Sequence, residues 1–517
     1  MFVSETNKLK YSVSHTSVDE KGDQDSSSNE QVITIPPEIY NWKIIVIAIT
    51  AAFAAVIIGY DAGFIGGTVS LESFQNEFNM VNMTAHEKTA ISSNVVSVFQ
   101  AGAFFGALFF YPIGEIWGRK PGLIMSAFLL VFGAAISLEA KHSSGLASIY
   151  AGRVITGLGV GGCSGLAPIY ISECAPTKIR GFAKLATYKK TMAYTICHST
   201  YSVGFFFIGT FFIYESPRFL VYKGKIDKAR TNLSKLRNIS EGHVYLIHEM
   251  ETIIKNAEEN RKRLSSTGIF APIIKILRSK KLLYRLLLST SLFIMQNSFG
   301  INAITYYSPV IFKSLGVKGS QAGLLSTGVF GIIKAVASLL WMFFIVDRLG
   351  RKTALIYFSF PCSVCMWYIG AYIKLAKPSE TNGEGQDAAG KAALAMLYIW
   401  TFFYGCSWNG TPWVINSEIF TQEVRTFTQA VNSMSNWFWA FIMGKFSGEA
   451  VEAIGYKLYF IFATCILVSP MIVFLFYPET KGVPLEAIDY LFERPAWKSR
   501  SYAIAKYHDE YEIEQKQ

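Results

Sequence analysis

Apolar residues in this chain do not alternate with polar ones. They gather into long runs, at about 42–66, 91–113, 121–139, 147–171, 191–214, 284–311, 321–346, 353–375, 391–416, 426–450 and 455–477. About 20 apolar residues carry a helix across the hydrocarbon layer of a membrane, so each run is a candidate span. Glycines at short spacing inside the runs, such as Gly157, Gly159, Gly161 and Gly162, let helices approach closely. Polar segments separate the runs and set the expected boundaries. These are a Ser-rich tail at 1–40, a first bundle at 41–214, a connecting loop at 215–283, a second bundle at 284–477 and a polar tail at 478–517. The expected class is an all-α polytopic membrane protein.

Composition sharpens that reading. Of 517 residues 51% are apolar and only 16% charged, against roughly 25% charged in soluble domains. Mean hydropathy is +0.30. So much apolar surface rules out a water-soluble enzyme, and a disordered or fibrous chain as well. The net charge of 48 − 37 = +11 belongs on cytoplasmic loops and does not call for nucleic acid. Residues 215–285 hold 16 Lys+Arg against 7 Asp+Glu, which predicts a cytoplasmic face. The loop at 67–90 carries one lysine, Lys88, and an Asn82-Met83-Thr84 sequon, so it reads as extracellular with Asn82 a glycosylation acceptor. No apolar run precedes Ile44, so a cleavable signal peptide is not expected.

The chain repeats itself. GEIWGRK at 114–120 returns as VDRLGRK at 346–352, with Glu115, Arg119 and Lys120 matched by Asp347, Arg351 and Lys352 at an offset of 232. Glu173 precedes Arg180 by seven residues, as Glu418 precedes Arg425. The halves end in Glu215-Ser-Pro-Arg218 and Pro478-Glu-Thr-Lys481. Two homologous halves around a basic loop fit a pseudo-symmetric transporter with its substrate path between them. The repeat also exposes a deficit. From Arg425 to Glu479 is 54 residues, from Arg180 to Glu215 only 35, a shortfall of 19, about one membrane helix. Region 182–214 is therefore expected to lack or truncate one span, through a faulty gene structure or splicing; a re-entrant hairpin is the alternative.

A few polar side chains stand inside the apolar runs, where they are costly and usually functional. Asp61 lies near the end of the first run, and Arg153 in the fourth is its natural partner. Lys334 lies thirteen residues before Asp347, about 20 Å along a helix, too deep to reach water easily. It fits an ammonium facing an anion in a polar cavity; pairing with an acid such as Asp61 is the alternative. Gln296, Asn297 and Asn302 share one run, and Asn409, Trp413, Asn436 and Trp437 follow in later ones. Amides donate and accept, which suits vicinal hydroxyls, and aromatic faces suit a ring; interhelical bonding and packing is the alternative use. Histidines and cysteines, Cys362-x-x-Cys365 included, show no metal-ligand pattern, and no phosphate loop is present. No metal, cofactor or ATP is expected.

Taken together, GYDAGFIGG (59–67), FQAGAFFGALFFYPIGEIWGRK (99–120), GRVITGLGVGG (152–162), PIYISECAPTKIRG (168–181), ESPRFL (215–220), QNSFGINAITYYSPVIFKSLG (296–316), VDRLGRK (346–352), SWNGTPWVINSEIF (407–420) and PETKGVPLE (478–486) resemble the sugar porter branch of the major facilitator superfamily, and within it the fungal quinate permeases. The resemblance spans about Tyr40 to Glu493 and departs at 182–214. It implies two pseudo-symmetric six-helix bundles working by alternating access, both termini cytoplasmic, in a plasma membrane. It implies proton coupling through Asp61 and Arg153. Substrate contacts would come from Lys334, Gln296, Asn297, Asn302, Asn409, Trp413 and Asn436, and an outer gate from Tyr306 and Tyr307. Glu115, Arg119, Glu173 and Arg180 in one half, and Asp347, Arg351, Glu418 and Arg425 in the other, would latch the cytoplasmic ends through Arg–carboxylate bonds. Quinate permeases resemble this chain in carrying a lysine where typical sugar porters have a neutral residue. The implied function is proton-coupled uptake of quinate or a related cyclic polyol carboxylate. Alternatives are a neutral-sugar carrier, a non-transporting nutrient sensor or an inert helix-deleted product. The oligomeric state is open.

Overall fold

The computed structural model describes residues 71–140, 145–174, 199–263, 270–315, 320–346, 348–376, 388–483 and 485–516, with short pieces at 8–9, 33–34, 36–39, 41–43, 46–47 and 65–69 and single residues 50, 59 and 268. The 182–198 part of the suspected deficit and most of the first apolar run lie outside the described residues.

The fold is α-helical. A short helix α1 (Glu72–Glu77) precedes α2 (Ala85–Ile116), α3 (Arg119–Leu138), α4 (Ala147–Cys174) and α5 (Ser199–Phe212). Four polar-segment helices follow: α6 (Pro217–Tyr222), α7 (Ile226–Arg237), α8 (Val244–Arg263) and α9 (Ala271–Arg278). The second half contains α10 (Lys280–Ser298), α11 (Ile301–Tyr306), α12 (Ser308–Ser314), α13 (Ser320–Leu340), α14 (Arg351–Ala376), α15 (Ala388–Gly405), α16 (Thr411–Glu418), α17 (Gln422–Ile454) and α18 (Lys457–Phe476). A terminal helix α19 (Ser499–Lys516) closes the chain. Among the described residues six helices are long and apolar enough to cross a membrane, in α2, α3, α4, α13, α14 and α18. Phe128 and Phe132 on α3, Phe360 and Val364 on α14, and Phe474 to Phe476 on α18 are exposed, an apolar band suited to lipid rather than water.

Packing divides the helices by half. In the first, α4 packs against α2 and α3, and α5 against α3; in the second, α14 packs against α15 and α18, α13 against α15, and α10 against α17. Glycine makes the α2–α4 approach possible. A Cβ on Gly102 or Gly106 would collide with the carbonyls of Val154 and Leu158, and one on Gly157 or Gly161 with those of Phe99 and Ala103. The backbones are therefore in direct contact, as small residues allow within membranes. One apolar core fills the first half and takes in Trp437 and Ala440 of α17, and a larger one fills the second half and takes in Val95, Val96 and Ile149 of α2 and α4. The halves meet where α17 lies antiparallel along α2, from Thr89 against Glu452 and Asn94 against Lys445 at one end to Tyr111 against Phe427 at the other. The 67–90 segment lies at the first of these ends and the α6–α9 helices at the second, which are called here the outer-loop end and the inner-loop end.

Two expected spans are broken rather than continuous. The 284–311 run divides into α10, α11 and α12, with Gly300 at φ +84 between the first two; a Cβ there would strike the Phe462 ring. The 391–416 run divides into α15 and α16 around 406–410. At the end of α13 a π turn at Trp341–Ile345 aims the Trp341 indole N–H at Thr411 Oγ1, 2.9 Å away on α16. Breaks inside membrane helices are tolerated where the freed backbone is satisfied by protein.

Candidate functional site

Breaking α10 from α11 gathers the amides of that run. Asn297, at the last turn of α10, donates to Phe293 O at 2.8 Å and to Asn436 Oδ1 of α17 at 3.4 Å. Asn302, past the break, donates to Asn297 Oδ1. Gln296 Nε2 donates to Trp408 O at 2.7 Å and to Asn409 O at 3.4 Å. Asn409 Nδ2 in turn donates to Ser338 Oγ at 2.9 Å, and Ser338 Oγ donates to Lys334 O at 2.8 Å. Hydrogen bonds thus join Gln296 and Asn409 to the helix turn that carries Lys334, while Asn297, Asn302 and Asn436 form a second set beside them. Asn302, Asn409, Asn436 and Lys334 are only half-buried. Trp413 leans edge-on to Phe293, ring centroids 4.8 Å apart. Among the described residues none takes a hydrogen bond or an ion pair from the Lys334 ammonium. Ser338 and the Trp408 carbonyl were not expected; a serine one turn from the lysine carries no distinguishing signal in sequence.

Arg153 is buried, donates through Nε to Val95 O at 3.2 Å and lies 4.6 Å from the centre of the Phe99 ring. Its expected partner Asp61 lies outside the described residues. Tyr306 and Tyr307 are both buried. A Cβ on Gly66 would collide with the Tyr306 carbonyl, so the end of the first apolar run presses on this segment. Tyr307 donates to Gly444 O at 2.8 Å. Lys445 reaches Asn94 at 2.5 Å, and Glu452 meets Thr89 and His86, the histidine at 3.7 Å. The outer-loop end of the interface is closed by these contacts. Asn82 is exposed beside Thr84, which caps α2 through Glu87.

At the inner-loop end the two halves repeat one construction. Arg119 pairs with Glu115 at 3.1 Å and Glu173 at 3.0 Å, and donates to Gly114 O at 2.9 Å. Arg351 pairs with Glu418 at 2.9 Å and donates to Val346 O at 3.1 Å. Two further acids complete the pattern, which the sequence motifs marked only as the ends of the halves. Glu215 accepts the backbone N–H of Arg119 at 3.0 Å and of Lys120 at 3.2 Å. Glu479 accepts those of Arg351 and Lys352, each at 3.0 Å. Both sit at helix N-termini, where unpaired N–H groups and the helix dipole favour a carboxylate. Gly118 at φ +116 and Gly350 at φ +99 admit them, since a Cβ at either would meet the carboxylate. Burial holds the Glu215 carboxyl above its ordinary value, against the N–H bonds that pull it down.

Arg425 stands apart from the other latch residues in this structure. No ion pair joins it to Glu418, because Glu418 turns to Arg351 and to Thr480, 2.7 Å away. Arg425 donates to Phe420 O at 3.0 Å and borders a cavity of about 130 Å³ between the halves, with Glu115, Arg119, Glu173, Arg218 and Glu423 also lining it. Arg180 and Asp347 lie outside the described residues.

The family described as Sugar (and other) transporter matches residues 47–195 and 183–492. A probable quinate permease of Aspergillus flavus is 42% identical over 503 residues, covering 92% of this chain and 93% of its own. The quinate permease of Emericella nidulans is 42% identical over 504 residues, covering 92% and 94%. Among solved structures, the proton:xylose symporter XylE bound to 6-bromo-6-deoxy-D-glucose superposes with a TM-score of 0.69 at 23% identity, covering 87% of this chain and 99% of that one. A partially occluded inward-open XylE from E. coli gives 0.67 at 22%, covering 86% and 99%. The broken helices, the duplicated Gly-Arg-Lys corners and this similarity along nearly the whole length agree: the chain is an integral membrane transporter, not an enzyme, and belongs to the sugar porter family of the major facilitator superfamily.

Proposed function

We propose that this transporter carries quinate or a related cyclic polyol carboxylate into the cell together with protons, by alternating access. One observation carries the substrate reading. Lys334 shares a helix turn with Ser338, which takes a bond from the Asn409 amide, and among the described residues no acid pairs with its ammonium. An unpaired cation on a membrane-spanning helix is costly, and an anionic substrate would offset that cost while its hydroxyls exchange bonds with Gln296, Asn297, Asn302, Asn409 and Asn436. Trp413 would face the ring. The permeases similar to this chain bear quinate in their names, which supports the same class.

Proton coupling is assigned to Asp61 and Arg153, the acid taking up a proton when the arginine turns away. Tyr306 and Tyr307 form the outer gate. The basic 215–285 segment sets the inner-loop end in the cytoplasm, with both termini on that side of a plasma membrane and Asn82 outside. Closed contacts at the outer-loop end and the cavity at the inner one then describe an inward-facing state. The arginine–carboxylate corners latch neighbouring helices within each half. A helix-deleted product stays the second reading. The family match breaks into two overlapping pieces at 183–195, within the stretch where the repeat runs short, and comparing transcript with genomic DNA across Gly181–Glu215 tests it.

The functional test is uptake of labelled quinate in cells lacking their own permease, normalised to surface protein. We expect uptake that survives excess glucose and falls at least tenfold in Lys334→Asn. Glucose uptake spared in that variant, with none of quinate, would instead identify a neutral-sugar carrier.

A further inference from the structure

We propose that α9 lies along the membrane surface at the inner-loop end and docks onto anionic lipid headgroups. The helix is amphipathic, and its apolar side is open. Phe270 at its N-terminus, Ile274 and Leu277 are exposed, and their spacing puts all three on one face. The opposite side is occupied. Ile276 is buried in the core of the second half, Pro272 borders the inner cavity, and Lys275 pairs with Glu423 of α17. One side of α9 is thus fixed to the second half and the other faces outward. Ser279 is extended and caps α10 through the Leu282 N–H. On α10 the exposed line continues through Lys280, Tyr284 and Leu287, while Arg285 on another face is buried and pairs with Asp489.

A neighbouring helix fixes the membrane level. Tyr477, at the end of α18, donates to Leu288 O of α10 at 2.6 Å. One turn earlier the exposed Phe474 stacks on the exposed Trp497, ring planes 12° apart, and tryptophan concentrates where hydrocarbon meets headgroups. Leu288 thus stands near the hydrocarbon edge. Tyr284 falls about 6 Å beyond it and Lys280 about 12 Å, at 1.5 Å per residue. Tyrosine and lysine therefore reach the headgroup layer while Leu287 stays in the apolar one. The charge here has one sign. No acid occurs between Glu259 and Asp347, and Arg278, Lys280 and Lys281 are exposed. Among the described residues no ion pair holds any of the three; Glu493, near Lys281, is bonded by Lys506 at 3.0 Å and by Tyr502 at 3.2 Å. An exposed apolar face rimmed by cations is the pattern of a helix lying in the interface, and anionic headgroups supply the counter-charge.

Hydrogen exchange of the purified full chain tests this, in nanodiscs of phosphatidylcholine alone or mixed with phosphatidylserine, and in detergent. We expect phosphatidylserine to slow amide exchange in α9 about tenfold. The combined Arg278→Gln, Lys280→Gln and Lys281→Gln variant should lose that difference. High salt should erase it in the wild type, which reads the charge even where the variant is unstable. Leu277→Asp should speed α9 exchange in both lipids by loosening the apolar face. Equal α9 exchange in the two lipids, or a lipid difference undiminished in the triple variant, overturns the proposal. Protection that appears in detergent and grows with protein concentration gives the face to a second copy and overturns it as well. No uptake is measured, so the outcome is separate from the question of which substrate is carried.

Discussion

Glu215 reaches across 96 residues to cap α3, and its burial gives the protein a pH signature. A carboxyl held above its ordinary value of 4.5 keeps its proton longer in the folded state than in the unfolded one. The folded state then binds more protons in that window, so stability falls as pH rises. The contribution is complete below about 4.5 and lost as pH passes the raised folded value. Unfolding midpoints of the wild type and Glu215→Gln, measured from pH 4.5 to 8, should show the decline in the former and a flatter profile in the latter. Equal profiles would remove Glu215 as the source. Legibility at this scale followed local contrast. Lys334 stands out because a charge interrupts an apolar run. Arg119 and Arg351 stand out because their motif occurs twice. The role of Glu215 and Glu479 was hidden because a bond from a carboxylate to main-chain N–H groups leaves no complementary residue type to recognise.

Among the elements, α7 and α8 are fastened to the membrane part by Arg237, beside Leu236 and Tyr245, which pack into the first half's apolar core. Arg237 at the end of α7 is 2% exposed and donates to both oxygens of Glu249 on α8, at 2.9 and 2.6 Å, and to Cys174 O on α4 at 2.9 Å. Removing one member of such a buried pair costs about 3 kcal/mol, equivalent to roughly a hundredfold shift in a local opening equilibrium. Arg237→Ala should therefore speed tryptic cleavage within 223–263 by about that factor while the spans stay protected; unchanged cleavage would place the fastening elsewhere. The docking of this segment could not be read from sequence, because Cys174 enters through its carbonyl. Likewise the 284–311 run reads as one span from hydropathy. The positive φ of Gly300 divides α10 from α11, and glycine is too common inside these helices to mark one break.

For the molecule as a whole, the sequon at Asn82 reports orientation. Asn82→Gln should abolish a glycosidase-sensitive shift in gel mobility in secretory-pathway expression; a wild-type protein with no such shift would withdraw the support that Asn82 gives to an outward 67–90 loop. The two-half plan was legible because both halves kept the same corner sequence. The closed outer-loop end was not, because Lys445 with Asn94 and Glu452 with Thr89 join residues more than 350 positions apart with no shared motif. The duplicated acid caps carry one more consequence. Glu215 secures the end of the first half onto a helix of that half, and Glu479 does the same for the second. Neither clasp needs the covalent connection between them. A gene cut between residues 265 and 266 should thus yield two polypeptides that find each other in the membrane, co-purify through a tag on one, and recover together the transport of the intact chain though neither does alone.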